Sequence, residues 1–262
     1  MKIRDLINLI EKDFPINSAM SFDNSGANIV DYNADLSGIV VCLDVTIATI
    51  EFAKQNGANL IISHHPLIFN EIRNINDDPI SKRIKLLNKY EISAYSSHTN
   101  FDSNLKRGMG ISLINKLFDK SLINSHKILE SYTIDGTDYG IGDITIFNKN
   151  LNFDEILTII KSKLELSNDK ISYYKVNDNI SKIILIPGSG SSEIDLVIAE
   201  KPDLLITSDL KHNQILDLAE EGISYINASH YGLEKIFIES FSDYLANDLK
   251  INNIYTFYLN LL

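Results

Sequence analysis

The chain has 262 residues, with 24 Lys and Arg against 35 Asp and Glu, a formal net charge of −11, 44% hydrophobic residues, one cysteine and no tryptophan. The apolar share excludes intrinsic disorder, the single cysteine excludes a disulfide scaffold, and 12 Gly with 5 Pro exclude a collagen-like chain. An acidic surface repels phosphates, so an unaided grip on nucleic acid is not expected. Along the chain, residues 3–13 place Ile3, Leu6, Ile7 and Ile10 at helical spacing. This N-terminal stretch lacks the apolar run of a signal peptide, and no segment reaches the roughly 20 apolar residues of a membrane span. A cytoplasmic protein without a membrane partner is therefore expected.

Residues 37–43 form the β-branched run of a buried strand, and Thr46 to Asn56 predicts a helix closed by Gly57. A second buried strand is predicted at 58–62, a basic amphipathic helix at 80–90, a strand at 92–96 and a helix at 108–118. From about residue 127 the texture changes. Strands are predicted at 128–133 and 139–147, with Asp135-Gly136 as the turn between them. Helix 153–165 and strands near 171–176 and 182–187 follow. The small-residue loop Pro187-Gly188-Ser189-Gly190-Ser191-Ser192 precedes a helix over 193–200. Strand 203–207, helix 211–221, strand 223–227, helix 230–246 and strand 254–259 complete the pattern. The β-α-β alternation predicts an α/β protein with mixed, largely parallel sheets.

Four predicted strands end in groups suited to metal or proton chemistry, and ligand sites in open α/β sheets collect beyond the carboxyl ends of strands. Ser63-His64-His65-Pro66 follows the second strand, so two adjacent imidazoles can address two ions. Ser97-His98-Thr99-Asn100-Phe101-Asp102 follows the third, where Asp102 offers a carboxylate able to bridge cations. The plainer alternative for Asp102 is a helix N-cap. Ser229-His230-Tyr231-Gly232-Leu233-Glu234 follows a later strand; Ser229 is a plausible N-cap, and His230 and Glu234 at i, i+4 share one helix face. Thr207-Ser208-Asp209 precedes His212, a candidate proton shuttle, with Asp209 a possible cap. His126 reads as a surface residue without a partner and Cys42 as a small buried group.

Imidazole with carboxylate suits Zn, Mn, Fe or Co rather than a structural thiolate zinc. Five candidate ligands, His64, His65, Asp102, His230 and Glu234, exceed the three that one catalytic zinc takes. Two divalent ions bridged by Asp102 are the economical arrangement, able to activate a water and polarise an electrophile.

The segments Ser63-His64-His65-Pro66-Leu67-Ile68-Phe69, Ser97-His98-Thr99-Asn100-Phe101-Asp102, Thr207-Ser208-Asp209 and Ser229-His230-Tyr231-Gly232-Leu233-Glu234 resemble the Nif-three-like family, many of whose bacterial members are GTP cyclohydrolase I type 2 homologues. Ser21-Phe22-Asp23-Asn24-Ser25-Gly26 and Leu43-Asp44-Val45-Thr46 also match family landmarks. The family usually has Trp where this chain has Phe22, and Gly where it has Ser229. The resemblance implies two interlinked α/β domains with a dinuclear metal site between them. Residues 1–126 with 201–262 would form a discontinuous domain carrying the ligands, with 127–200 inserted. It implies the same five ligands, His98 and His212 lining the site, and a ring-shaped homohexamer. It further implies hydrolysis of a nucleotide, GTP giving dihydroneopterin triphosphate and formate through a metal-activated water. Arg73, Lys106, Arg107 and Lys211 are candidate phosphate partners, and the Gly188–Gly190 loop a weaker anion site. A non-catalytic metal-binding scaffold is the alternative. A DNA-binding ring would need a basic patch, which Lys82, Arg83 and Lys85 could begin.

Overall fold

The computed structural model describes residues 1–259. It divides into two compact units, Met1–Ser103 with the chain from Phe237 onward, and Asn104–Ile236. The first unit opens with α1 (Ile3–Asp13), β1 (Gly26–Ile29), β2 (Ile39–Cys42), α2 (Ile47–Gln55), β3 (Leu60–Ser63), α3 (Pro79–Tyr90), β4 (Ser93–Ser96) and a short α4 (Thr99–Asp102). The second holds α5 (Met109–Leu117), β5 (Ile123–Ile134), β6 (Thr137–Asn152), α6 (Phe153–Lys163), β7 (Ile171–Tyr174), β8 (Asn179–Ser189), α7 (Ile194–Glu200), β9 (Leu204–Ser208), α8 (His212–Glu220), β10 (Ser224–Ala228) and α9 (His230–Glu234). With α10 (Ile236–Asp243), a π-helical turn Tyr244–Asp248 and β11 (Ile254–Thr256), the chain rejoins the first unit.

In the first unit the strand order is β1-β4-β3-β2-β11. Strands β11, β2, β3 and β4 run parallel and β1 pairs antiparallel with β4. Every residue of β2, β3 and β4 is buried, as expected for central parallel strands covered on both faces. One face packs Val40, Ile50, Ile61 and Leu87 in a common core. The helices have local causes. Thr46 caps α2 by accepting from the Thr49 N–H, and Gly57 follows with φ 67°. Asp78 caps α3 through the Ile80 and Ser81 N–H groups, with Pro79 at the first helical position. The apolar stripe of α1, Ile3, Leu6, Ile7 and Ile10, is fully buried as its spacing predicts.

The second unit has the order β5-β6-β8-β9-β10-β7. Only β8, β9 and β10 are mutually parallel, so both sheets are mixed. The Asp135-Gly136 turn joins β5 to β6 with φ 50° and 78°, the positive pair required of a tight hairpin.

The breaks between units fall at 103/104 and 236/237, against the expected 126/127 and 200/201. The reason is pairing: β9 and β10 extend the β8 sheet, so residues 204–228 stay with it. Residues 260–262 of the expected last segment lie outside the described residues. The single helix expected over 230–246 is interrupted at Lys235, whose N–H still bonds the Tyr231 carbonyl. It ends in a wide turn where the Leu249 N–H reaches Tyr244. No helix among the described residues is long and apolar enough to cross a membrane.

On its return, α10 brings Phe237 and Phe241 against Phe14 and Phe101, with ring centroids 5.0–5.8 Å apart. Phe237 also packs 5.0 Å from the ring of His64. Phe241 is fully buried in this cluster. Phe241→Ala is expected to cost about 3–5 kcal/mol by cavity formation, read as a lowered unfolding midpoint in denaturant.

Candidate metal centre

The parallel register delivers three strand ends side by side. Cys42 pairs with Ser63, and Ser63 with Ser96. One residue past those ends stand Leu43, His64 and Ser97; two past stand Asp44, His65 and His98. Backbone bonds extend the ladder, His64 N–H to Cys42, His65 N–H to Leu43 and Ser97 N–H to Ser63. The three imidazoles are thereby packed with centroids 4.9–5.5 Å apart. One ring nitrogen from each of His64, His65 and His98 lies within 4.8 Å of the others, a spacing able to hold a cation. Asp102, at the end of α4, brings a carboxylate oxygen 3.7 Å from His64 Nε2. It closes that helix rather than capping it; His98 holds the N-cap position.

Each imidazole is anchored through Nδ1. His64 Nδ1 lies 3.1 Å from the Ser97 carbonyl, His65 Nδ1 3.0 Å from Asp44 and His98 Nδ1 2.8 Å from Asp23. A hydrogen bond from Nδ1 to an oxygen fixes the tautomer and frees Nε2 for a metal or a proton. Asp23 also accepts from the Ser25 hydroxyl and from the Thr99 N–H and hydroxyl. Burial opposes its ionisation, but the bonds from His98, Ser25 and Thr99 outweigh it and hold the carboxyl well below the usual range.

The second unit carries the other expected pair. Ser229 caps α9 by accepting from the Gly232 N–H, as its position predicts. His230 Nε2 is 2.9 Å from Glu234, which is buried, and its Nδ1 is 2.6 Å from Asp209. The hydrogen bond to Glu234 raises the His230 pKa most; burial opposes it and Asp209 adds, leaving it at about 9. Gly188 is required beside this pair. Its φ is +64°, and a Cβ there would stand 2.3 Å from a Glu234 carboxylate oxygen. Thr207 pins the loop, its hydroxyl accepting from the Gly190 N–H and donating to the Gly188 carbonyl.

Imidazole and carboxylate donors, with oxygen acceptors behind four of the imidazoles, fit divalent first-row ions. Asp23, Asp44 and Asp209 are the residues to which sequence reasoning gave no anchoring role. Two of them directly follow β9 or stand two residues past β2, the same signal that marked the histidines. Asp209 has φ 55° and is not the cap of α8, whose N-cap is Lys211. His212 is exposed on the first turn of α8 and belongs to neither donor set among the described residues. Arg73, Lys106, Arg107 and Lys211 are all exposed. The Gly188–Gly190 loop serves close packing rather than an anion: Glu193 at the N-cap of α7 and Asp195 in its first turn already place carboxylates there. His126 is not without a partner. Its Nε2 lies 2.5 Å from Asp143, a buried carboxylate filling the space beside Gly110 in α5.

The Duf34/NIF3 (NGG1p interacting factor 3) family model matches residues 1–260. A Clostridium perfringens protein named GTP cyclohydrolase 1 type 2 homolog is 34% identical, over 89% of this chain and 87% of its own. A Helicobacter pylori protein named GTP cyclohydrolase 1 type 2 is 30% identical, over 90% of this chain and 88% of its own. Among solved structures, a hypothetical protein of Staphylococcus aureus superposes with a TM-score of 0.87 at 25% identity, covering 100% of this chain and 97% of that one. Reduced HcgD from Methanocaldococcus jannaschii superposes with 0.81 at 28% identity, covering 99% and 98%. These matches bear out the resemblance read from the motifs and the mixed α/β fold.

Gly188→Ala should cost about 1–2 kcal/mol, the strain of a side chain in the left-handed region. It should also displace Glu234, both effects being read as a lowered unfolding midpoint. A second expectation concerns pH. The His230 pKa is raised in the folded chain from 6.5 to about 9. Its ion pairs therefore stabilise metal-free protein fully below about pH 6.5, and that contribution is lost as pH rises through about 9. In thermal melts, the gap between wild type and His230→Gln should be widest at low pH and close across that window.

Proposed function

The chain belongs to the Duf34/NIF3 family, and from that membership and the geometry above we propose that it is a hydrolase dependent on two divalent ions, Zn, Fe, Mn or Co. Its ligands are His64, His65, Asp102, His230 and Glu234, and its substrate is GTP, converted with water to dihydroneopterin triphosphate and formate. The observation that carries the reading is the anchoring of the imidazoles. Four imidazoles from three segments, the adjacent His64 and His65 with His98 and His230, each have Nδ1 held by an oxygen, which is expensive to arrange unless Nε2 has work to do. The names of the Clostridium perfringens and Helicobacter pylori relatives support the choice of GTP.

When bound, the ions supply Lewis acidity and a water of lowered pKa. The chain's own contribution is positioning and proton movement. Asp44 and the Ser97 carbonyl hold His65 and His64 in one orientation each. In this reading His98, held by Asp23, gives or takes a proton at the guanine ring nitrogens as the ring opens. His212 is the second proton-transfer candidate. A ring-shaped homohexamer, formed in the cytoplasm, belongs to the same proposal.

The test is to load the protein with each metal in turn, add GTP and measure formate and the fluorescent pterin obtained on oxidation. Product with at least one metal is expected; none with any of the four sinks the reaction. Asp102→Ala should abolish product and lower metal content. Metal retained at two ions per chain without turnover on any nucleotide would favour the scaffold reading instead.

A further inference from the structure

Two large aromatic side chains of the first unit stand in water beside His98. Phe22 is 63% exposed and Phe69 44% exposed. Their ring centroids are 6.5 Å apart, and the Phe69 ring lies 6.3 Å from the His98 ring in an edge-on arrangement. Exposed phenyl rings forfeit the hydrophobic stabilisation that burial gives, so a pair held out together needs a cause.

Loose loops do not supply it. Asp23, next to Phe22, bonds His98 and both the N–H and hydroxyl of Thr99. The Met20 N–H bonds the Thr99 hydroxyl on the other side. Asn24 donates from Nδ2 to the Ile68 carbonyl at 2.5 Å, and the Ile68 N–H donates to Asn28. These bonds tie the Phe22 loop to the Phe69 loop, and the Phe22 loop to the backbone that carries His98. The rings are therefore presented from a braced frame, which removes the ordering cost of receiving a ligand.

We propose that Phe22 and Phe69 form a stacking platform for a flat heteroaromatic ring, the base of a nucleotide, and hold that base beside His98. A phenyl face offers a sequence-tolerant π surface for such rings. An aliphatic ligand has no flat face to set against the two phenyl rings. Taking the base to be guanine rests on the proposed function; the platform rests on the two rings and their bracing.

The experiment uses metal-loaded full-length chain and three probes: guanosine, inorganic triphosphate and GTP. Phe22→Leu with Phe69→Leu keeps apolar bulk and removes both π faces. Guanosine affinity should fall about tenfold or more, with triphosphate binding and metal content unchanged. Turnover of GTP should fall through KM. Phe22→Trp keeps a π face and introduces the only tryptophan of the chain. Its fluorescence should be quenched by guanosine and not by triphosphate, a readout independent of any loss of fold in the double variant.

Equal guanosine affinity in wild type and double variant overturns the platform, as does a wild type that binds no guanosine. A double variant of altered oligomeric mass with unchanged guanosine affinity also overturns it, and assigns the rings to a second copy of the chain. Formate production with an unchanged KM in the double variant overturns the platform and leaves the proposed reaction standing. Guanosine binding lost in the variant of a protein that never releases formate does the reverse.

Discussion

The alignment of three parallel strand ends is the constraint on which the rest depends. Ladder bonding fixes Cys42, Ser63 and Ser96 in one row, so whatever follows each strand emerges beside its neighbours. A slip of one residue would reverse the faces of every side chain beyond the row. The close packing of β2, β3 and β4 resists that slip, because all their side chains, the small Ser93, Ala94 and Ser96 included, are buried and both faces of the sheet are filled. Core packing and site geometry are thus set by the same register. The aromatic cluster works in the same direction, with Phe101 just before Asp102 and Phe237 against His64. Hydrophobic burial holds the donors that hydrogen bonding then orients.

A division of labour among the acids follows. Asp102 and Glu234 lie next to imidazole Nε2 atoms, whereas Asp23, Asp44 and Asp209 stand behind imidazole Nδ1 atoms. The carboxylates behind the rings make them better donors as well as fixing them. The chain's acidity is therefore partly local: several of its negative charges are committed to histidines rather than to a diffuse field.

Much of this was legible in the residues. The strand and helix alternation emerged from apolar period and turn chemistry, and the ends differ by one or two residues at most elements, as fraying would produce. The His64-His65, His98 and His230-Glu234 groups were visible because each directly follows a buried strand or opens a helix. Three things were not. The acids behind the imidazoles are 21 to 75 residues from their partners in sequence, and only register brings them together. The split between units was hidden because β9 and β10 read equally well as part of either sheet until pairing is known. Strand β1 was missed because a short edge strand ending in a bulge carries almost no apolar period. Its antiparallel addition to β4 nonetheless matters, since it carries the Phe22–Gly26 loop to the side of His98.

Cys42 closes the β2 end of the aligned row, two residues before Asp44. Its side chain is sealed in the core, and burial, with the Asp44 charge adding, pushes the thiol pKa up. The only sulfur nucleophile of the chain is thereby kept protonated and out of reach of peroxide. A protein built this way offers no reachable thiolate for an oxidant to convert or for a soft metal ion to capture.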